Sequence, residues 1–347
     1  MIYRVGEYSD MSNSSPVRIA LNGFGRIGRN VVRALPRYPD VELVAINDVM
    51  EPAQMAYLAE YDTVMGRDDS VALSDGRLRT EAVDAALLQV RDPTTLPWAE
   101  HDVDVVLECT GIFRTHEDAA MHLEAGARKV IISAPPRGDT PVTQLVYGVN
   151  HDRYADEDVV SNASCTTNSV TPIAQVLDAT FGIDHGMLTT VHAYTGSQQL
   201  LDGPMAKPRR GRAAAENILP TTTGAAAAAT DILPELAGKL DGMAIRVPVA
   251  NGSLTELVVT LDASPTVAAV NDAFRAAAAE GPLAGVLGVT DDPLVSSDIQ
   301  GMPYSSLVDL ASTNRVGAGA MYKVLTWYDN EFGFSNRMLD MAQFITA

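Results

Sequence analysis

Val17-Arg18-Ile19-Ala20-Leu21-Asn22-Gly23-Phe24-Gly25-Arg26-Ile27-Gly28 decides how the amino-terminal half of the chain folds. The first six residues are a short apolar run with strand character. The next six spell G-x-G-x-x-G, and Arg26 to Leu35 then has helical character until Pro36. A strand that ends in glycines and opens a helix is the setting of a dinucleotide-binding turn. Gly23, Gly25 and Gly28 permit the tight turn, allow close approach of a pyrophosphate and let helix pack on strand, while the helix N-terminus attracts the anion. The string alone is weak, because glycine is common; its context strengthens it. Val41 to Ile46 is a second strand with Asn47 and Asp48 at its carboxyl end, and Asp48 lies 20 residues beyond Gly28. A carboxylate there accepts hydrogen bonds from both adenosine ribose hydroxyls. It also repels a 2′-phosphate, since one unit pair at 4 Å costs about 4 kcal/mol at an effective dielectric of ~20. NAD is therefore expected over NADP. A structural turn followed by a strand-end Asp is the alternative.

Working outward, Val103 to Leu107, Lys129 to Ser133 and Val159 to Val160 continue the strand set, with a helical segment at His116 to Ala127 and short strands between Val71 and Val90. Strands alternating with helices imply a parallel sheet with right-handed crossovers. The second half changes character. Gly186 to Val191, Ala244 to Val249, Leu254 to Leu261 and Ser305 to Leu310 are strands with few helices between them; longer helical segments fall at 166–181, 224–236 and 267–280. That mixture predicts an α+β domain with a largely antiparallel sheet. Ser335 to Ile345 is an amphipathic helix with Met338, Met341, Ala342 and Ile345 on one face.

Composition bounds the function. At about 100–200 residues per domain, 347 residues suggest two domains. Hydrophobic residues are 46% and charged residues 20%, which supplies cores and argues against wholesale disorder. Lys plus Arg number 25 against 44 Asp plus Glu, a net charge of −19 that repels nucleic acid and anionic membranes. No apolar run approaches the ~18–20 residues of a membrane span. Residues 1–16 lack the basic start and apolar stretch of a signal peptide and are expected to be a short disordered extension. Two cysteines, Cys109 and Cys165, make no disulfide framework, which fits a reducing cytoplasm.

Ala163-Ser164-Cys165-Thr166-Thr167-Asn168 follows a strand and begins a helix. Unpaired N–H groups and the positive dipole end favour a thiolate at that position. Taken alone, Cys165 is equally a structural thiol with Ser164 or Thr166 capping the helix; Cys109, in an apolar strand, is an inert buried residue. Of six histidines, five (His101, His116, His122, His151 and His185) lie mostly in polar surroundings and are expected at the surface. His192 closes the strand from Met187 to Val191, placed to pair with a nucleophile. No HExxH or CxxC spacing occurs, so no metal site is expected, and there is no GxSxG serine elbow. Lys207-Pro208-Arg209-Arg210-Gly211-Arg212 is a basic island, and Arg246 stands alone inside MAIRVPVA. Arginine is expensive to bury there unless it meets an anion, which its fork matches bidentately. A buried salt bridge for Arg246, and a solvated loop or subunit contact for the island, are the alternatives. Thr221-Thr222-Thr223-Gly224, expected to open a helix, offers a second anion nest.

LNGFGRIGR, ASCTTN, TTVHAYT, RGRAAAENILPTTTGAA, GMAIRVP and WYDNEFGFS occur in this order from about Val17 to the end. Together they closely resemble the phosphorylating glyceraldehyde-3-phosphate dehydrogenases. The resemblance implies a Rossmann-type parallel-sheet domain over 17–164, completed by a carboxyl-terminal helix at 331–347, and a catalytic domain over 165–330. It implies Cys165 as nucleophile and His192 as its base. Arg26, Ile27, Asp48, Arg91, Ser133 and Asn330 would contact NAD, beside the glycines. Ser164, Thr166, Arg210, Thr223 and Gly224 would bind attacking inorganic phosphate, and Thr195 and Arg246 the C3 phosphate of glyceraldehyde 3-phosphate. The family is homotetrameric. Gly203-Pro204, after Asp202, resembles NAD-using members. Ser197 stands where many members carry Asp or Thr, and Phe334 where Tyr is usual; both are expected to tune affinity. An erythrose-4-phosphate dehydrogenase would need the same thiol and NAD, and a non-catalytic NAD-binding redox sensor is a further alternative.

Lysine occurs only at positions 129, 207, 239 and 323, so Arg carries most of the positive charge. An acidic, lysine-poor chain resembles proteins of organisms that keep molar salt in the cytoplasm. At ~1 M salt the screening length falls to about 3 Å, and self-repulsion largely vanishes. The melting midpoint is therefore expected to climb from dilute buffer to molar KCl; a flat or falling series contradicts salt adaptation.

Overall fold

The computed structural model describes residues 15–347, so all but the last two residues of the expected extension lie outside the described chain. Two compact units divide it: one comprises 15–147, His151–Ser164 and Phe334–Ala347, the other Gly148–Asn150 and Cys165–Gly333.

The first unit carries a nine-stranded sheet. Its strands are β1 (Val17–Asn22), β2 (Val41–Asn47), β3 (Ala72–Ser74), β4 (Arg77–Arg79), β5 (Asp84–Leu88), β6 (Val105–Glu108), β7 (Lys129–Ile132), β8 (Thr143–Gln144) and β9 (Val159–Ser161). The order is β3-β4-β5-β2-β1-β6-β7-β9-β8, parallel from β5 onward, with β3 and β4 antiparallel at one edge. Parallel strands with both faces covered run almost continuously apolar, and Ile19, Ala20, Leu21, Val105, Val106 and Leu107 are fully buried. The helices are α1 (Arg26–Ala34), α2 (Pro52–Glu60) and α3 (His116–Glu124), the last capped by the Thr115 hydroxyl, which accepts from Asp118 N at 3.0 Å. Strand order reverses at β1, which lies between β2 and β6. Ligands of such sheets bind in the crevice outside the carboxyl ends there. The glycine turn occupies that position under tight constraint: Gly23 has φ +100°, and a Cβ on it would sit 2.6 Å from Thr110 N. A Cβ on Gly28 would sit 2.3 Å from Gly23 O.

One histidine departs from expectation. His122, on α3, is fully buried rather than at the surface, because an indole and a carboxylate from distant segments, Trp98 and Glu108, take its ring nitrogens. Nothing in the local string HEDAAMHLE announces those partners.

The second unit begins with α4 (Cys165–Phe181) and continues β10 (Ile183–Ala193), β11 (Leu219–Thr222), α5 (Ala225–Ile232), β12 (Leu240–Val247), β13 (Ser253–Leu261), α6 (Val267–Ala279), β14 (Leu287–Thr290), β15 (Ser306–Arg315) and β16 (Met321–Tyr328). Its seven-stranded sheet, β11-β12-β10-β13-β16-β15-β14, is antiparallel except for the β10–β12 and β14–β15 pairs. Strands β13 and β16 alternate buried with less buried residues, and α4 packs against β13, β15 and β16. Thr221 and Thr222 do not open a helix as expected. They end the edge strand β11, opposite Ala244 and Met243, and the helix starts only at Ala225. Consecutive β-branched residues suit a pleated edge better than a helical turn.

The carboxyl-terminal helix α7 (Phe332–Ile345) is longer than predicted and is not amphipathic in effect, since residues 332–342 are all buried. Its charged groups pair internally. Tyr38 donates its hydroxyl to Asp340 Oδ1 at 3.0 Å, and Arg337 meets Asp340 Oδ2 at 2.6 Å. Burial leads the causes that push the Tyr38 phenol up, and Asp340 adds to it. Among the described residues no helix is long and apolar enough to cross a membrane. Removing one member of a buried ion pair costs about 3–5 kcal/mol, so Asp340→Ala is expected to lower the thermal midpoint well beyond any surface Asp→Ala control, read by a melting curve.

Candidate active site

The turn between β9 and α4 carries Ala163 at φ +54°, a left-handed conformation that costs an L-residue about 1–2 kcal/mol. Ala163 N donates to Ser161 Oγ at 3.0 Å, which holds the turn. The strained turn delivers Cys165 as the first residue of α4. Strand β10 delivers His192, and its parallel pairing with β12 sets His192 opposite Arg246. Three residues far apart in the chain thereby converge. Cys165 Sγ lies 3.5 Å from His192 Nε2; Arg246 Nη1 lies 2.9 Å from both His192 Nδ1 and Ala193 O.

These contacts assign the imidazole tautomer. Arg246 only donates, and His192 Nδ1 sits 2.7 Å from Ala193 O. With its two lone pairs, that carbonyl accepts from Arg246 Nη1 and from Nδ1–H together. Nε2 is then left with a lone pair facing the sulfur. The strand end is braced from behind: Ala193 N donates to Ser253 Oγ at 3.1 Å, and Ser253 Oγ–H donates to Asn330 Oδ1 at 2.8 Å. A buried tyrosine completes the frame. Tyr328 Oη lies 3.0 Å from Thr166 Oγ1 and 2.8 Å from Thr190 Oγ1, and its ring stands edge-on to His192 with centroids 5.9 Å apart. Sequence reasoning missed Tyr328 and Ser253. Nothing in the string MYKVLTWY marks the buried face, since Thr326 shares it with Tyr328 while Leu325 and Trp327 lie on the other.

Electrostatics correct one expectation. The helix N-terminus does not leave Cys165 with an ordinary thiolate: burial pushes the thiol up, and Arg246 with the Thr166 hydroxyl and amide offsets this only in part. His192 is pushed down to about 3, by burial first and then by the charges of Arg246 and Arg210, against the Ala193 carbonyl. At neutral pH the pair rests as thiol and neutral imidazole, hydrogen-bond partners with the proton on sulfur.

Two arginines stand near this pair. Among the described residues Arg246 has no carboxylate partner, so the buried salt bridge weighed from sequence is not what forms, and its Nε is buried with no hydrogen-bond partner. Arg210 donates Nε to Thr221 Oγ1 at 3.2 Å. The rest of the basic island lies along β11 or folds back on its loop: Lys207 Nζ donates to Thr222 Oγ1 at 2.6 Å, and Arg212 pairs with Asp202 at 2.7 Å. Thr223 Oγ1 accepts from Ala225 N at 3.1 Å, and Gly224, beside it, is exposed. Thr195, three residues beyond His192, is half-buried with its hydroxyl 2.9 Å from Ser197 Oγ. The Thr166 hydroxyl is already shared with Tyr328. Ser164 is half-buried directly before Cys165.

The residues expected to contact the nucleotide divide between the units. Gly23, Gly25, Arg26, Ile27, Gly28 and Asp48 gather around one turn. Phe24 N donates to Asp48 Oδ2 at 2.7 Å and Met50 N to Oδ1 at 3.0 Å, which locks the carboxylate at the end of β2. A Cβ at Gly25 would meet nothing within 4 Å, so the backbone there is open to a ligand, as a pyrophosphate requires. The turn therefore fits a dinucleotide. Arg26 pairs with Asp62 at 2.5 Å; burial would raise that carboxyl, but Arg26 and the amides of Met65 and Val64 bring it below the usual range. Ser133, beyond β7, donates its N–H to Glu108 O at 3.0 Å, and Arg91, beyond β5, is exposed. Asn330 belongs to the other unit, buried against Ser253.

Comparison with known proteins fits this arrangement. The model of the glyceraldehyde 3-phosphate dehydrogenase NAD binding domain matches residues 17–116, and that of the C-terminal domain matches residues 164–330. A glyceraldehyde-3-phosphate dehydrogenase of Haloarcula vallismortis is 66% identical over 335 residues, 96% of this chain and 99% of that one. Those of Priestia megaterium and Geobacillus stearothermophilus are 52% and 50% identical, each over 95% of this chain and 98% of their own. On matches that span most of its length, the chain belongs to the glyceraldehyde-3-phosphate dehydrogenase family.

Proposed function

We propose that the protein oxidises glyceraldehyde 3-phosphate to 1,3-bisphosphoglycerate with NAD and inorganic phosphate, through a covalent intermediate on Cys165. The approach of Cys165 Sγ to His192 Nε2, 3.5 Å, carries this reading. His192 takes the thiol proton as sulfur bonds to the aldehyde carbon and passes it to the carbonyl oxygen, giving a thiohemiacetal and a neutral imidazole again. The same imidazole removes the hydroxyl proton as that carbon is oxidised to a thioester; general-base help of this kind is worth roughly 10²–10⁴-fold. NAD, held by the glycine turn and Asp48, supplies the hydride acceptor when bound. Inorganic phosphate then attacks the thioester and Cys165 leaves.

Arg246 and Thr195 hold the C3 phosphate, and Arg210 with Ser164, Thr166, Thr223 and Gly224 the inorganic phosphate. Thr166 has one hydroxyl proton and can turn it to phosphate when Tyr328 donates to it. Phosphates on Arg246 and Arg210 also neutralise two of the influences that hold His192 down, so the imidazole becomes a stronger base once substrate is in place. In this scheme residues 17–164 with 331–347 serve the nucleotide, and residues 165–330 the chemistry.

A homotetramer is supported by the second sheet. Val191, Leu254 and Trp327 form a cross-strand row, and the same face carries Met187 beside Val258, all half-buried or exposed. An apolar sheet face of that kind marks association between subunits. Dependence on a free thiol, with both cysteines unpaired, supports the reducing cytoplasm as its compartment.

Initial rates with each aldehyde, with and without phosphate, test the reaction: phosphate-dependent NAD reduction with glyceraldehyde 3-phosphate is expected to exceed that with erythrose 4-phosphate. Cys165→Ser is expected to abolish turnover while NADH still binds; turnover surviving in that variant overturns the covalent route. Arg246→Ala removes a charge that lowers the Cys165 thiol pKa, so less thiolate exists at a given pH. Its alkylation by iodoacetamide at about pH 8 is expected to slow, and the KM for aldehyde to rise at least about tenfold for the loss of a charged hydrogen-bonded contact.

A further inference from the structure

At the carboxyl ends of β1, β2 and β6 a polar chain is buried where the catalytic steps do not use it. Trp98, His122 and Glu108 are fully buried and Asn22 nearly so. Trp98 Nε1, which only donates, lies 3.0 Å from His122 Nδ1, so the imidazole proton is on Nε2. That nitrogen faces Glu108 Oε2 at 3.3 Å. Asn22 Nδ2 donates to the same oxygen at 2.6 Å, while Asn22 Oδ1 accepts from Asn47 Nδ2 at 2.7 Å, which fixes the amide's orientation. Glu108 Oε1 takes Thr110 N at 2.7 Å and also the Thr110 hydroxyl. Every donor around Glu108 points inward, no arginine or lysine pairs with it among the described residues, and only a group that purely accepts satisfies them all.

Burying a carboxylate without a cation is costly, and its place suggests what it does. Its two oxygens grip the two sides of the nucleotide turn. Asn22 immediately precedes Gly23, and Thr110 N is the atom a Cβ on Gly23 would strike at 2.6 Å. Gly23 N is tied in turn to Asn47 O at 2.8 Å. We propose that Glu108, oriented by His122 and Trp98, is the positioning residue of the dinucleotide turn: by fixing Asn22 and Thr110 on either side of Gly23 it preorganises that backbone for NAD. The inference rests on the nucleotide half alone and not on the chemistry at Cys165.

Glu108→Gln tests it in the full-length protein. The new NH2 group faces Asn22 Nδ2 and His122 Nε2–H, donors that cannot turn away while Asn47 and Trp98 hold them. The dissociation constant for NADH, by titration calorimetry, is expected to rise about tenfold, with kcat at saturating NAD and the KM for aldehyde little changed. Adding Asn22→Asp moves the carboxylate across the contact. The new side chain can accept from Asn47, from the amide that replaces the Glu108 carboxylate, and from His122, whose Nε2 lies 3.4 Å from the present Asn22 Nδ2. The double variant is expected to recover NADH affinity to within about threefold of the parent, whereas Asn22→Asp alone sets two carboxylates face to face and binds more weakly still. Unchanged NADH binding in Glu108→Gln overturns the proposal. So does a folded double variant as weak as the single one. If Glu108→Gln does not fold, the double variant decides: near-parental NADH binding supports the positioning role, and weak binding in a folded protein refutes it.

Discussion

Parallel pairing of β10 with β12 is the constraint from which the chemistry follows. It sets His192 opposite Arg246 and leaves one carbonyl, Ala193 O, to take both the guanidinium and the imidazole Nδ1–H. That shared oxygen fixes the tautomer, and the tautomer presents a lone pair to the sulfur 3.5 Å away. A register shift of one residue would turn His192 to the other face of the sheet, away from Arg246.

The site rests in a neutral state: desolvation outweighs the cation at the thiol, and at the imidazole the two act together. Thiol and imidazole each avoid charge, and Arg246 stands half-buried with an unpartnered Nε. An anionic substrate reverses this balance locally. A net charge of −19 does not preclude the phosphate binding proposed for this site: pairing with desolvated arginines acts over a few ångströms, while the acidic surface acts at distances that salt screens. The 66% identity to a protein of Haloarcula vallismortis accords with an acidic, lysine-poor composition.

At Glu108 the nucleotide half uses the opposite device, a buried anion with no cation beside it among the described residues. Glu108 collects hydrogen bonds from Asn22, His122 and Thr110. Asp48 collects the amides of Phe24 and Met50, and Asp62 collects Arg26 with the amides of Val64 and Met65. Acceptors thus organise each loop around the crevice, as loops without regular backbone pairing need side chains to satisfy their N–H groups.

Local rules suffice wherever the governing atoms are neighbours in the chain. Glycine spacing after an apolar strand specifies the turn, because a Cβ at Gly23 or Gly28 would strike backbone. A cysteine at a helix start and a histidine at a strand end are recognisable as a pair worth testing, and the order of motifs identifies the family. Strands such as β13 are legible as short apolar runs, although which face is buried is not, since Ser253 and Thr255 lie on the buried side and Leu254 and Val258 on the other. Long-range contacts decide the rest. His122 reads as exposed because its partners, Trp98 and Glu108, are 24 and 14 residues away in sequence. The polar side of α7 reads as solvent-facing because Tyr38, at the other end of the chain, covers Asp340 and Asn336. The helix end favours a thiolate at Cys165, and burial overrules it. Charge state and hydrogen-bond partner depend on what packs against a side chain, a property of the folded chain that no window of sequence contains.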